Sequence, residues 1–252
     1  MTISSTEIMT CLNCKNTFRG SFCNDCGQKA ATHRFTMHEW LHEIPHSLLH
    51  VDSGFFLTIK TLCFQPGIAI REYLQGRRKL LFSPFLYVLI LCGIYVVVSH
   101  FFVHIPEAEN QEIGSLKEAN NYIEENYYKI LVVAMILPVT IGSYLAYLKS
   151  GFNFAENLVL NAYLIGQLVI ADIIIMLISS TSLYENHKPA VKLIEFFLKY
   201  PYWFWMYWQF FKPKKWYWGI LQFILSQIIS GIVLYLLMNG AALILLKFKG
   251  AH

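Results

Sequence analysis

Trp216–Leu246 is a run of 31 residues without a charged side chain. As one α-helix it would measure about 46 Å, longer than the roughly 30 Å hydrocarbon core of a bilayer. In water such a surface would need cover on every side. In lipid it needs only to satisfy its own backbone, and a helix does that. Asn239-Gly240 is the expected break within it. Three more runs share this character. Pro84–Phe102 and Ile130–Leu148 are 19 residues each, and Leu158–Ile178 is 21 with one acid, Asp172. Ser83-Pro84 supplies an N-cap and a first-turn proline for the first run, and Pro138 predicts a kink in the second. Leu193–Phe211 is ambiguous. Glu195 and Lys199 can pair at i, i+4, and a dense aromatic cluster follows Pro201. It reads as a further span or as an interfacial segment, since Trp and Tyr gather at headgroup level. The expected fold class is all-α: a polytopic helical membrane bundle of four or five spans, with a small metal-held head.

Composition agrees. The chain is 56% hydrophobic and 14% charged, with mean hydropathy +0.44, where a soluble domain carries about 25% charged residues. Residues 1–80 hold nine Lys/Arg and six Asp/Glu. This divides the chain into a head at 1–32, a juxtamembrane part at 33–82 and a membrane part at 83–252. The opening "MTISSTEIMT" has no basic region followed by an apolar one, so no secretory signal is read there. The net charge of +4 is too modest to suggest nucleic-acid binding.

Charge bias gives an orientation. Arg71, Arg77, Arg78 and Lys79 precede the first span, while His104–Tyr127 carries six Glu and one Lys. Positive residues stay in the cytoplasm, which places the N-terminus inside. Arg77, Arg78 and Lys79 form a basic collar that can also hold anionic lipid headgroups, at roughly 1 kcal/mol each. Three short helices are expected before this span. Thr36-x-x-Glu39 is a capping box for a helix that Pro45 ends or kinks. Asp52-Ser53 can cap Gly54–Phe64, stopped by Pro66-Gly67, and Ile68–Leu74 is followed by Gly76.

The head contains "CLNCKNTFRGSFCNDCGQ", two C-x-x-C knuckles eight residues apart. Cys11, Cys14, Cys23 and Cys26 can close a tetrahedral site, and Zn²⁺ is its common occupant, one per chain. Two disulfides are disfavoured on the reducing side of a membrane. Four protein ligands leave no open coordination position, so the metal is expected to be structural. Gly27 follows the second knuckle, where a left-handed residue helps amides turn toward sulfur, while Lys15 occupies the equivalent place in the first. Four thiolates and Zn²⁺ sum to about −2, which Lys15, Arg19, Lys29 and Arg34 can offset. Cys63 and Cys92 lie in apolar runs and read as small hydrophobes.

"HEWLHEIPHSLLH" reads H-E-x-x-H twice, the zinc-and-base pattern of metallopeptidases. At about 100° per residue, Met37, Trp40, Leu41, Ile44 and Leu48 share one face, and His38, His42, His46 and His50 step across the other with Glu39 and Glu43. This describes an amphipathic helix on the membrane surface. Intramembrane metallopeptidases place the motif within a span; here it precedes all of them, and no third ligand is recognisable. His38, Glu39 and His42 are therefore the weaker, catalytic alternative.

Within the third span, Asn157, Asn161, Leu168 and Asp172 fall in one sector, flanked by Gln167. A charge there costs about 3 kcal/mol or more, so this face should point into the bundle. Gln222, Ser226 and Ser230 on the last span are its expected partners, beside the small Gly231. The face serves either as a structural interhelical contact or as a proton or substrate site.

The head, followed by "DSGFFLTIKTLCFQPGIAIREYLQGRRKLLFSPFLYVLI", resembles an uncharacterised bacterial membrane family with a double-CxxC ribbon and a T-x-x-x-L-x-x-x-P-G-x-x-x-x-E-Y-x-x-G-[KR]-R segment. Thr58, Leu62, Pro66, Gly67, Glu72, Tyr73, Gly76, Arg77, Arg78 and Pro84 carry the match, and "FAENLVLNAYLIGQ" is similar to its third span. The resemblance implies architecture and no activity. The expected function is a non-enzymatic scaffold, assembly or accessory factor that meets the bilayer and docks a protein partner or a second copy. A small transporter using the Asp172 face is the alternative, and a hydrolase using His38, Glu39 and His42 the second.

Overall fold

The computed structural model describes residues 8–30, 54–102, 115–179 and 183–249. The Thr36–Glu39 capping box, the helix ended by Pro45, the His38–His50 stripe and the Asp52-Ser53 cap lie outside the described residues, as does Arg34.

The head is a two-stranded antiparallel ribbon, β1 (Ile8–Thr10) and β2 (Thr17–Arg19), with Met9 opposite Phe18. Phe18 turns inward against Cys11 and Cys23, and Met9 packs beside it. Strands this short bury too little to stand alone in water.

Two short helices follow, α1 (Gly54–Phe64) and α2 (Pro66–Leu74), separated by Gln65. Pro66 ends the first, as expected, and also opens the second, two residues earlier than the sequence suggested. A proline at the first position loses no helical hydrogen bond. Gly76 then takes φ +106°, a left-handed turn that a side chain resists. These helices share one core with the long ones: Phe55, Leu62, Ile70 and Tyr73 pack with Tyr87, Tyr163 and Phe210. Polar pins hold them there. The Thr58 hydroxyl donates to Gly54 O and accepts from Phe82 N, each at 2.7 Å.

The long elements are α3 (Pro84–Phe102), α4 (Leu116–Ala134), α5 (Ile136–Ala146), α6 (Phe154–Ser179), α7 (Leu183–Phe211) and α8 (Trp216–Lys249). α3 has the bounds its apolar run predicted. α4 begins well before Ile130, because Ser115 and Glu118 form a reciprocal capping box, and its Ala119 and Ile123 pack on Ala242 of α8. The kink expected at Pro138 is a break at Met135. Pro138 has no N–H to offer the carbonyl four residues back, so the ladder fails one turn upstream. α6 starts at Phe154 through a second reciprocal cap, Glu156 N to Asn153 Oδ1 at 2.8 Å and Asn153 N to Glu156 Oε2 at 2.7 Å. α8 is continuous through Asn239-Gly240, where a break was expected. Asn239 bonds its own helix, Nδ2 to Tyr235 O at 2.8 Å, and so satisfies itself without interrupting it.

Among the described residues, three helices are long and apolar enough to cross a membrane: α3, α6 and α8 as far as Lys247. Ile130–Ala146 is apolar but shorter. α8 exposes Ile224, Ile228, Ile232, Leu236 and Leu243. An unbroken apolar surface of that length is untenable in water and suits a lipid bilayer.

Two glycines permit the closest helix crossings. A Cβ on Gly67 of α2 would meet Phe210 N at 2.4 Å and Met206 O at 2.5 Å on α7. A Cβ on Gly142 of α5 would meet Ser230 Oγ at 2.0 Å and Ser226 O at 2.5 Å on α8. Gly231, expected to be the small contact residue, faces open space. Gly142→Val is therefore expected to cost about 1–3 kcal/mol by overpacking, read as a lower unfolding midpoint in detergent, while Gly231→Val stays close to neutral.

Candidate metal centre and intramembrane site

The two knuckles of the head are built alike. Cys11 N bonds Asn16 O at 2.8 Å and Lys15 N bonds Cys11 O at 3.0 Å. In the second, Cys23 N bonds Gln28 O and Gly27 N bonds Cys23 O, both at 2.8 Å. Lys15 and Gly27 share φ 67°. Each reverses the chain so that amides face sulfur, and only Gly27 does so without a Cβ penalty. Lys15→Gly is thus expected to stabilise the head by about 1 kcal/mol, measured as slower metal loss to a chelator.

The four sulfurs lie within 4.8 Å of one another, and Cys11–Cys26 and Cys14–Cys23 approach to 3.5 Å. None is bridged. Tetrahedral thiolates at metal distance stand about 3.8 Å apart, so the group fits a single ion. Among the described residues this is the cluster that could hold a metal. Burial pushes the Cys11 thiol up, but the amides of Cys14 and Asn13 and sharing with Cys26 outweigh it and bring it down to about 6. At Cys14 the Asn16 amide pulls down, yet burial and proton sharing with Cys23, Cys11 and Cys26 hold it up to about 12.

The head sits on the turn before α3. Gln28 Nε2 donates to Gly76 O at 2.6 Å, and Leu12 covers Gly76 so closely that a Cβ there would meet its Cδ1 at 2.6 Å. Lys79 Nζ comes within 3.9 Å of where a Gly27 Cβ would stand. Charge against the thiolates thus also arrives from far along the chain. Arg77 pairs with Glu72 at 2.8 Å. Arg78 lies half-buried beside it. Arg71 donates to Phe210 O at 2.7 Å, a cation at the C-terminal end of α7.

The polar face of α6 divides in two. Its lower half is saturated. Asn161 Nδ2 donates to Ser143 Oγ at 2.9 Å and Asn157 O at 2.8 Å, and its Oδ1 accepts from Tyr207 OH at 2.7 Å. Asn157 Oδ1 accepts from Ser143 Oγ at 3.2 Å. Gln167 Nε2 donates to Tyr87 OH at 2.8 Å. The partners come from α5, α7 and α3. Ser226 and Ser230 instead bond carbonyls of their own helix, at 2.7 Å, and line the α5 crossing. Gln222 reaches Ala146 O of α5 at 3.4 Å.

The upper half is open. Asp172 pairs with Lys199 of α7, which also holds Glu195 at 2.6 Å. The Asp172 and Lys199 side chains are each 18% exposed. All three line a cavity of about 420 Å³ between α4, α6 and α7, with Phe196, Tyr200 and Trp203 along its α7 wall. The pairing of Glu195 with Lys199 was legible as i, i+4 spacing. Asp172 as a third member was not, because it depends on where α7 crosses α6.

Residues 52–96 match the profile of a family described as a protein of unknown function (DUF3667). That stretch holds the turn on which the head sits, the Thr58 pin and the close glycine at Gly67. No curated protein and no solved structure matches the chain. The family match spans α1, α2 and the first part of α3, and leaves both the cysteine cluster and the Asp172 cavity outside it.

Proposed function

We propose that this is a multi-pass membrane protein that binds a small ligand within the bilayer, at the cavity beside Asp172, and that its cysteine head carries one structural Zn²⁺ as a brace. One observation carries the reading: two carboxylates and two lysines line one cavity between α4, α6 and α7, with Lys199 paired to both acids. Charges within spans are costly and mark ligand or ion sites. The Asn157–Asn161 network beside it is a fully bonded alternative that holds helices together without ions. A permease-like role uses the same site.

Five crossings are proposed: α3, the α4–α5 path, α6, α7 and α8. In support, α5 and α7 pack directly on the long apolar helices α8 and α6. Charge bias and unbridged thiols favour a cytoplasmic head, and the resemblance to a bacterial family favours an inner membrane. The basic turn at Arg77, Arg78 and Lys79 then lies at the bilayer edge, where anionic headgroups can reach it. Soft thiolate donors in a tetrahedron favour Zn²⁺, with no position left for catalysis. The hydrolase alternative rests on His38, Glu39 and His42, outside the described residues. The scaffold reading keeps one support, the exposed Ile8 and Phe22 on the head.

Native mass spectrometry of the full chain, extracted with its lipids, tests the binding reading. A retained small-molecule adduct is expected, lost in Asp172→Leu/Lys199→Met. No adduct in either removes it. A stoichiometric protein lost in Phe22→Ser would favour the scaffold.

A further inference from the structure

We infer that α1 and α2 form a hairpin that enters the bilayer from the side of the head and turns back inside it, with lipid acyl chains as the partner of its outer face; this rests on the multi-pass reading above. Gly54–Phe64 is apolar but, at 11 residues, too short to cross. Apolar helices of that length are core, interfacial or re-entrant elements. Contacts decide among these. The start of α6 and the end of α7 share one level, since the Phe152 and Phe210 rings stand 4.4 Å apart. Lys212, Lys214 and Lys215 follow, then Trp216, Tyr217 and Trp218, residue types that collect at headgroups. α1 reaches well past that level. Cys63 Sγ lies 3.8 Å from Gln167 Oε1, and Tyr202 OH donates to Leu62 O at 3.1 Å. Along their helices, Gln167 is about 20 Å from Phe154 and Tyr202 about 14 Å from Phe211. α2 then heads back to the edge. Gly67 lies against Met206 and Phe210, and Arg71 donates to Phe210 O.

The break between the two helices is made for a place without water, where freed backbone groups must be met by protein. The helical partner of Leu62 O would be the amide of residue 66, but that residue is proline and has no N–H. The Tyr202 hydroxyl takes its place. Gly67 N, a first-turn donor of α2 with no helical acceptor, gives to Gln209 Oε1 at 3.1 Å. Two polar side chains of α7 are thus directed at a turn that water would serve if it reached there. The outer face agrees. Phe56, Leu57 and Phe64 of α1 and Ile68 of α2 are exposed, Phe56 by 73% and Phe64 by 68%. Water would leave those rings bare; acyl chains cover them. Lys60 is the one charge in α1, and its stem can carry the ammonium back toward the headgroups.

The test uses the full chain in liposomes, with Cys63→Ser/Cys92→Ser as the parent. Phe64→Cys, Gln75→Cys and Ile228→Cys are made singly in it, each at an exposed position, and carry a nitroxide spin label. The parent, labelled alike, gives the contribution of the head's thiols. Oxygen, which concentrates in lipid, and a water-soluble nickel chelate are the two collision partners. Phe64→Cys is expected to match Ile228→Cys on α8, with strong oxygen broadening and loss of the nickel effect that Gln75→Cys shows. Should Phe64→Cys not fold, Cys92→Ser alone leaves the native exposed Cys63 as the label site, and the same outcomes decide. Nickel access at Phe64→Cys with none at Ile228→Cys overturns the hairpin and leaves the multi-pass reading standing. Nickel access at both overturns both. A Phe64→Cys label shielded from oxygen and nickel alike means that protein covers the face, and overturns lipid as its partner.

Discussion

Cys23→Ser is expected to empty the metal centre and melt residues 8–30, while the helices stay folded. The head has two three-residue strands and a core of Cys11, Phe18 and Cys23. That core cannot offset the entropy of ordering the segment. On the proposed structural zinc, metal binding would supply the difference, about 10 kcal/mol or more. Two of the three buried core residues, Cys11 and Cys23, belong to the cluster that could hold a metal, so on the proposed reading folding and binding are one event. Elemental analysis should fall from one metal per chain to near zero. Protease should then cut within the head, while far-ultraviolet circular dichroism changes little. Chelation should reproduce the effect, and acid should weaken binding, because the ion must displace thiol protons. Full metal content in Cys23→Ser, or a protease-resistant head without metal, would contradict the brace.

The same event reaches the membrane. Gln28 and Leu12 seat the head on Gly76, and Lys79 stands against the second knuckle. Melting the head removes these contacts from the turn ahead of α3. The helices should survive, because α1 and α2 are pinned separately. Thr58 holds Phe82 N, Gln209 Oε1 accepts from Gly67 N at 3.1 Å, and Tyr202 OH donates to Leu62 O at 3.1 Å.

What the sequence made legible was local chemistry. The knuckle spacing foretold the sulfur cluster, and the equivalence of Lys15 and Gly27 reappears as one shared backbone angle. Pro84 and an uncharged run set the whole of α3. Gly76 ended its helix as glycine does. The misses are of another kind. The caps at Ser115 and Asn153 were there to read but lay under loop-like stretches. Asn239-Gly240 looked like a break because its side-chain bond to Tyr235 O is invisible until the helix exists. Above all, pairing between helices escaped. The serines of α8 were matched to the polar face of α6 by chemistry alone. Sterics decided otherwise, since Gly142 lets α8 settle on α5. Asn161 turned to Ser143 and Tyr207 instead. Periodicity tells which face of a helix is polar and says nothing of which neighbour it meets.

The Asp172 site is where that difference has the largest energetic consequence. Lys199→Met is expected to lower stability in detergent by about 3 kcal/mol. The substitution keeps the stem's volume and deletes the charge, leaving the largely buried Asp172 without its ion-pair partner. Asp172→Asn should cost far less, because Lys199 keeps Glu195 at 2.6 Å. Asp172→Leu/Lys199→Met should recover most of the loss, since an apolar pair of similar volume needs no desolvation and Glu195 is 41% exposed. The order of unfolding midpoints is the measurement: native sequence, Asp172→Asn and the double variant close together, Lys199→Met well below. A Lys199→Met midpoint equal to the native one would mean the triad is solvated rather than held at a dry cavity. With the expected order, the double variant is a folded protein lacking the charged site. Any change it shows in ligand retention then reports binding and not collapse.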